Sequence, residues 1–251
     1  MSHLTPAVPV YDVCGISIAA VSPPQAAAVL VAAAQQSVSV QVHLCNVYTL
    51  SLVEQDQELR SALRCADLNL PDGTPVAWLG WQWGVRGPVR GPGLVPEVGR
   101  AGAPYGLKHY LYGGAPGVAE DMAGRLRQEV PGIDIVGAES PPYRTISDDE
   151  VAELTNRIQA SGANVVWIGL GTPRQDYLVP RVAAFVDGVV VPVGAAFDFL
   201  AGRVGEAPRL LHGTGLEWLY RFSREPKRLW RRYLIGSPRF LAVAARYWWC
   251  R

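Results

Sequence analysis

Charge is scarce in this chain: Asp, Glu, Lys and Arg make up 18% of its residues, against 49% hydrophobic ones. That balance excludes an intrinsically disordered chain, which lacks the apolar material to build a core. Cysteine is scarce as well. Cys14, Cys45, Cys65 and Cys250 stand far apart, and His3, His43, His109 and His212 form no ligand spacing with them. Neither a disulfide framework nor a structural zinc is expected, which points to a reducing compartment. No apolar run reaches the roughly eighteen residues of a membrane-spanning helix. The start, "MSHLTPAVPVYDVCGISIAAV", has no Lys or Arg ahead of its apolar stretch and is broken by prolines, unlike a secretory signal. A soluble or peripheral protein is expected.

Two further absences bear on chemistry. Asp56 and Glu58 resemble an acidic metal-binding pair, but they fall in a helical stretch where solvation is expected, so a metal-bridged diphosphate has no evident ligands. The dinucleotide fingerprint of spaced glycines followed by an acidic strand end is missing too, which weighs against a nicotinamide-dependent oxidoreductase. No metal or other cofactor is expected.

What is present begins with turns and a divided charge. The 26 glycines and 20 prolines follow no period and read as tight turns between short elements. Residues 208–251 hold ten basic side chains against Glu217 and Glu225, a net of +8 that leaves −7 for residues 1–207 of a chain whose total is +1. The basic segment also carries Trp218, Trp230, Trp248 and Trp249, with Tyr and Phe interleaved among the arginines. Rings at an apolar boundary and guanidinium groups on phosphate suit an anionic membrane surface; a packed helical subdomain and a nucleic-acid interface are the competing readings. Pro226 and Pro238 divide the segment into about three short helices. Two units are therefore expected, residues 1–207 and a basic helical appendage at 208–251.

Along the first unit, strand-like and helix-like segments alternate. "VSVQVHLCN", "DLNLP", "KHYLYGG", "GIDIVGAES", "ANVVWIGLG" and "VDGVVVPVG" read as strands, with helical periodicity between them and a capping box of Ser147 and Glu150 opening one helix. The continuous apolar runs suit strands buried on both faces. A doubly wound, mainly parallel α/β sheet with helices on both faces is expected, with ligands bound beyond the carboxyl ends of its strands.

The polar residues at those ends are the candidates. "YGGAPGVAE" sets Gly113, Gly114 and Gly117 between a strand and a helix, suited either to a phosphate cradle or to plain turn geometry. "GLGTPRQDY" offers Gly171, Thr172, Pro173, Arg174, Gln175 and Asp176 at the end of the most hydrophobic strand, either as a helix start or as a grip on a base or diphosphate. Asp72, in "LPDGT", is an Asx-type turn residue or a general base, and Asp198, in "GAAFDFLAG", is a helix N-cap or a site residue.

The ordered motifs Asn46, "ADLNLPDGTPV", "YLYGGAPGVAE", "WIGLGTPRQD", "PVGAAFDFLAGRV" and "GLEWLYRFSREPKRLWRRY" resemble the bacterial WecG/TagA/CpsF family of glycosyltransferases over about residues 12–240. The resemblance implies transfer of a sugar from a UDP-sugar to a polyprenyl-diphosphate-linked saccharide at the cytoplasmic membrane face, inverting and without a metal. It implies Asp72 as base, Asn46 and Asp198 in the acceptor or sugar pocket, and Arg90 and Gln175 on the donor beside Gly113, Gly114, Gly171 and Pro173. Arg221, Arg228 and Arg231 of the appendage would then meet lipid diphosphate and membrane. N-acetylmannosamine or its uronic acid is the expected donor sugar, with glucose or glucuronic acid as alternatives. No nucleic-acid partner is expected, and self-association through apolar helices is left open. Two positions depart from the family pattern: Leu44 replaces a frequent threonine, and Gly93 stands where many members have an aspartate.

Overall fold

A computed structural model describes residues 8–142, 144–205, 219–220, 222, 230 and 236–249. Its centre is a six-stranded sheet, wholly parallel, with β3 (Val40–Cys45), β4 (Leu68–Pro71), β5 (Lys108–Gly113), β6 (Asp134–Glu139), β7 (Val165–Gly169) and β8 (Val189–Pro192) in the order β4-β3-β8-β7-β5-β6. The registers Cys45↔Pro71, Gly113↔Gly169 and Ile168↔Pro192 bring the carboxyl ends of five strands to one edge. Crossover direction reverses between the neighbours β7 and β5, since β5 leads outward to β6 while β7 leads the opposite way along the sheet to β8. That reversal opens the crevice in which doubly wound sheets bind their ligands.

Both faces are covered, as the apolar runs demand. Val165, Val166, Trp167 and Ile168 of β7 are all fully buried, because alternate residues meet different helical layers. One layer holds α1 (Pro23–Ala34), α5 (Gly91–Gly102), α6 (Val118–Glu129) and α9 (Ala196–Leu200), packed through Leu30, Leu94, Met122 and Phe197. The opposite layer is built by α7 (Asp148–Ser161) and α8 (Arg174–Ala183), with Leu154, Ile158, Val179 and Val182 facing the sheet. The capping box of α7 forms as read from sequence, Ser147 accepting from the Glu150 amide while Glu150 accepts from the Ser147 amide.

A third cluster stands at the β4 edge. It joins α2 (Val47–Leu52), α3 (Gln57–Cys65) and α4 (Thr74–Leu79) to the helix α10 (Gly236–Trp249), whose Phe240 and Val243 bury beside Leu50 and Val53. It also includes an antiparallel hairpin, β1 (Val10–Val13) and β2 (Ile16–Ala19), for which the sequence reading had no strands. Its two-residue turn puts Cys14 at φ +58° and Gly15 at φ +72°, the twist that tight hairpins favour, reached without the usual Asn-Gly signal. Buried Asn69 anchors the hairpin to β4 by donating to the Ser17 carbonyl at 3.1 Å and the Leu63 carbonyl at 2.8 Å.

Asp56 corrects the expectation of a solvated acidic pair. It precedes α3 rather than lying within it, accepts the Leu59 amide at 2.9 Å, and takes the hydroxyl of Tyr177 from α8 on its other oxygen. Burial and that carboxylate together push the Tyr177 phenol up. The position once available to a metal pair is a tie between two helices.

Candidate active site

The β3–β4 side of the edge is held by hydrogen bonds. Asn46 is the N-cap of α2, where its Oδ1 accepts the amides of Tyr48 at 3.0 Å and Thr49 at 3.2 Å. With its carbonyl so engaged, the side-chain amide nitrogen can only face outward, and it donates to Oδ2 of Asp72 at 3.0 Å. The Asp72 backbone amide donates to the Cys45 carbonyl, which continues the β3–β4 ladder by one residue and sets the carboxylate at the rim. Gly73 follows at φ +81°, a conformation that turns the chain into α4 and that a side chain would strain. The pair that the resemblance singled out is thus a direct contact, and only Oδ2 of Asp72 has a hydrogen-bond partner among the described residues.

Beneath this pair, β3 presents His43 and Cys45 to α8. His43 Nδ1 lies 2.9 Å from Asp176 Oδ1, with both side chains essentially buried. Burial and the charges of Asp176 and Asp72 push the Cys45 thiol well up, so this cysteine is an inert packing group. The His43–Asp176 pair is the site's missed element. Asp176 had been taken as a strand-end polar residue, yet it points under the sheet, and only the shared face of positions 43 and 45 on β3 hinted at it.

Arg90 bridges toward the other side. Val89 donates to the Pro71 carbonyl at 2.8 Å, so the chain runs beside the end of β4 before Arg90 caps α5. A Cβ on Gly91 would lie 3.0 Å from the Val193 carbonyl oxygen, which shows how closely the start of α5 sits against the loop leaving β8.

The β5–β7–β8 side is shaped by missing side chains. Gly113 has φ +154°, and a Cβ there would fall 2.5 Å from the Gly169 backbone, while the Gly114 amide donates to the Gly169 carbonyl at 3.0 Å. Close strand approach explains these glycines. The first turn of α6 already spends the Ala119 amide on Ser140 Oγ and carries Glu120 and Asp121, so the loop's suitability for phosphate rests on its remaining amides. Gly171, at φ +76°, donates its amide to Gln175 Oε1 at 3.0 Å, and Gln175 is only 5% exposed beside Gly194. Pro173 joins Thr172 through a cis peptide and caps α8. Asp198 does not cap a helix as one reading had it: Ala195 is the N-cap of α9, and Asp198 lies half-buried in its first turn, its carbonyl accepting the Arg203 and Val204 amides.

The edge therefore pairs one half-buried carboxylate at the end of β4 with the glycine loops that leave β5 and β7. Comparison with known proteins decides what that edge belongs to. The model of the Glycosyl transferase WecG/TagA/CpsF family matches residues 11–251. This chain belongs to that family. Among its relatives is the N-acetylglucosaminyldiphosphoundecaprenol N-acetyl-beta-D-mannosaminyltransferase of Bacillus spizizenii, 27% identical over 196 residues, which cover 77% of this chain and 74% of the relative.

As a WecG/TagA/CpsF member the protein is a glycosyltransferase, and its two departures from the family pattern acquire places. Leu44 is 5% exposed in the core among Leu70, Val89 and Leu94, beneath the rim where Asn46 meets Asp72. Gly93 is exposed on the first turn of α5, with open space where a side chain would stand. Arg221, Arg228 and Arg231 of this glycosyltransferase lie outside the described residues, as does the expected boundary at 207/208. Among the described residues no helix is long and apolar enough to cross a membrane, and no cluster of three His, Cys, Asp or Glu could hold a metal. A cavity of about 120 Å³ between Arg64, Asp67 and the hairpin opens at the amino end of β4, away from Asp72.

Proposed function

We propose that the chain transfers an N-acetylmannosamine-type sugar from a UDP-sugar to a polyprenyl-diphosphate-linked N-acetylglucosamine, inverting the anomeric carbon, at the cytoplasmic face of the membrane. The observation that carries this reading is the Asn46–Asp72 hydrogen bond at the carboxyl edge of a family member's sheet. The name of the Bacillus spizizenii relative supports the sugar and the acceptor.

In the reaction the acceptor hydroxyl attacks the anomeric carbon, a new C–O bond forms, and the bond to the diphosphate oxygen breaks. Asp72 takes the hydroxyl proton through the oxygen that Asn46 leaves free, while Asn46 keeps the carboxylate aimed. One carboxylate acting as base, rather than as nucleophile, gives a single displacement and hence inversion. The departing UDP gathers negative charge, for which Arg90, the remaining amides of the loops that follow Gly114 and Gly171, and the appendage arginines Arg221, Arg228 and Arg231 are the stabilising groups. In this reading the diphosphate is held without a metal, and Gln175 acts by bracing the Gly171 loop.

The test is a turnover panel of UDP-sugars with a short-chain polyprenyl-diphosphate-GlcNAc acceptor, with and without EDTA. Release of UDP with one donor, indifferent to EDTA, is expected. Asp72→Asn should lower turnover by about 10²- to 10⁴-fold with UDP affinity nearly intact. Undiminished turnover in that variant sinks the base assignment.

A further inference from the structure

Among the described residues, the segment that follows Asp72 carries a run of exposed large apolar side chains. Trp78 and Leu79 at the end of α4, and Trp81 and Trp83 in the 3-10 turn Trp81–Trp83, are 58%, 48%, 62% and 40% exposed. Three tryptophans and a leucine within six residues make a contiguous patch that isolated surface apolar residues do not explain. Trp83 is held by stacking on Tyr11 at 5.5 Å between ring centroids, and Arg86 lays its guanidinium over Trp81 at 4.5 Å. The patch is therefore ordered rather than loose.

Its chemistry selects one occupant. Residues 73–96 include no Asp or Glu, while Arg86 lies over the Trp81 ring, so the surface is both apolar and cationic. Indole rings at an apolar boundary with arginine at phosphate level are the side chains that a headgroup layer favours. Its place agrees. The six residues of α4 span about 9 Å, roughly the depth of a headgroup layer, between the Asp72 turn and Trp78. Tyr11, Val76 and Val85 beneath the patch belong to the same buried cluster as Phe240 and Val243 of α10, which presents Leu241 at 67% exposure. The tryptophan turn and the C-terminal helix share one underlying core.

We infer that Trp78, Leu79, Trp81 and Trp83 with Arg86 form a second membrane contact, on the catalytic unit itself, that seats the Asp72 rim at the level where a lipid-linked diphosphate sugar emerges. This rests on the lipid-linked acceptor of the proposed function. It differs from membrane attachment by the tail, which would tether the protein without fixing the height of the base.

The experiment compares the full chain with Trp78→Ser/Trp81→Ser and with Arg86→Glu, by co-sedimentation with vesicles of equal parts phosphatidylcholine and phosphatidylglycerol in the absence of sugar. The double variant should lose about tenfold in vesicle partition. Arg86→Glu, a change at an exposed side chain that leaves the fold intact, should lose about fivefold or more, and the difference should shrink as salt rises. Turnover on a water-soluble short-chain acceptor should match the parent, while turnover on vesicle-embedded long-chain acceptor falls. Variants that partition like the parent overturn the inference. So does a double variant that changes from oligomer to monomer without lipid and still binds vesicles, since the patch is then an interface between copies. Because partition is read without donor or acceptor, loss of the transferase reading leaves this result standing, and the reverse holds for turnover on the soluble acceptor.

Discussion

The two sides of the carboxyl edge are built by opposite means. On the β3–β4 side, side chains do the positioning: Asn46 is locked by two amides of α2 and in turn orients Asp72. On the β5–β7–β8 side, the absence of side chains does it, with Gly113 and Gly169 bringing strands together and Gly171 offering its amide to Gln175. The proposed reaction, which moves one proton and expels one diphosphate, asks for this asymmetry, since the proton needs a single aimed acceptor and the diphosphate needs many diffuse donors.

The comparison breaks most severely at Gly113. Gly113→Ala sets a Cβ against the Gly169 backbone at a positive φ, and should cost about 3 kcal/mol in chemical denaturation while leaving Asp72 and Asn46 unchanged in sequence. A melting curve equal to the parent's would show that the strands separate easily there. The other side is sharpened by Asn46→Asp, which keeps an N-cap of equal quality but replaces the donor to Asp72 with a second carboxylate. Loss of a hydrogen bond to a charged group predicts a ten- to hundredfold fall in kcat, about 1.5–3 kcal/mol, with KM for the donor and the melting temperature little altered. A fall in melting temperature in proportion to activity would make Asn46 a structural cap only.

The smallest effect concerns pH and the β5–β7 core. His109 accepts the Trp167 indole N–H at 3.1 Å, and burial, its main influence, pulls it down to about 4 from an ordinary 6.5. A histidine depressed in the folded state is neutral there and charges on unfolding. Its contribution is complete above pH 6.5 and is lost as pH falls toward 4, amounting to about 2 kcal/mol between pH 7 and pH 5. His109→Gln should flatten that part of the stability profile, as measured by urea midpoints across the range. An unchanged slope would assign the loss to other groups.

Much of this was legible before any coordinates. The apolar runs at 163–171 and 186–194 announced buried parallel strands because strands covered on both faces cannot alternate polar and apolar residues. Asn46 and Asp72 were legible through their ordered motifs. The hairpin at Val10–Ala19 was not, because its turn uses Cys14-Gly15 and its two strands are only four residues each. Asp56 misled for a related reason: it read as a solvated residue within a helix, while it caps that helix and its partner, Tyr177, lies 121 residues away.

By itself the sequence determined the local grammar of the protein: the six strands of the main sheet and the helices between them, the capping box at Ser147 and Glu150, and that positive charge gathers after residue 207. Those follow from periodicity, capping chemistry and composition, each confined to a few neighbouring residues. The strand order β4-β3-β8-β7-β5-β6, the meeting of Asn46 with Asp72 and of His43 with Asp176, and the exposure of the tryptophan turn came from the assembled fold alone. Parallel strands are joined by long crossovers, so contacts between their ends leave no mark in the spacing of residues along the chain.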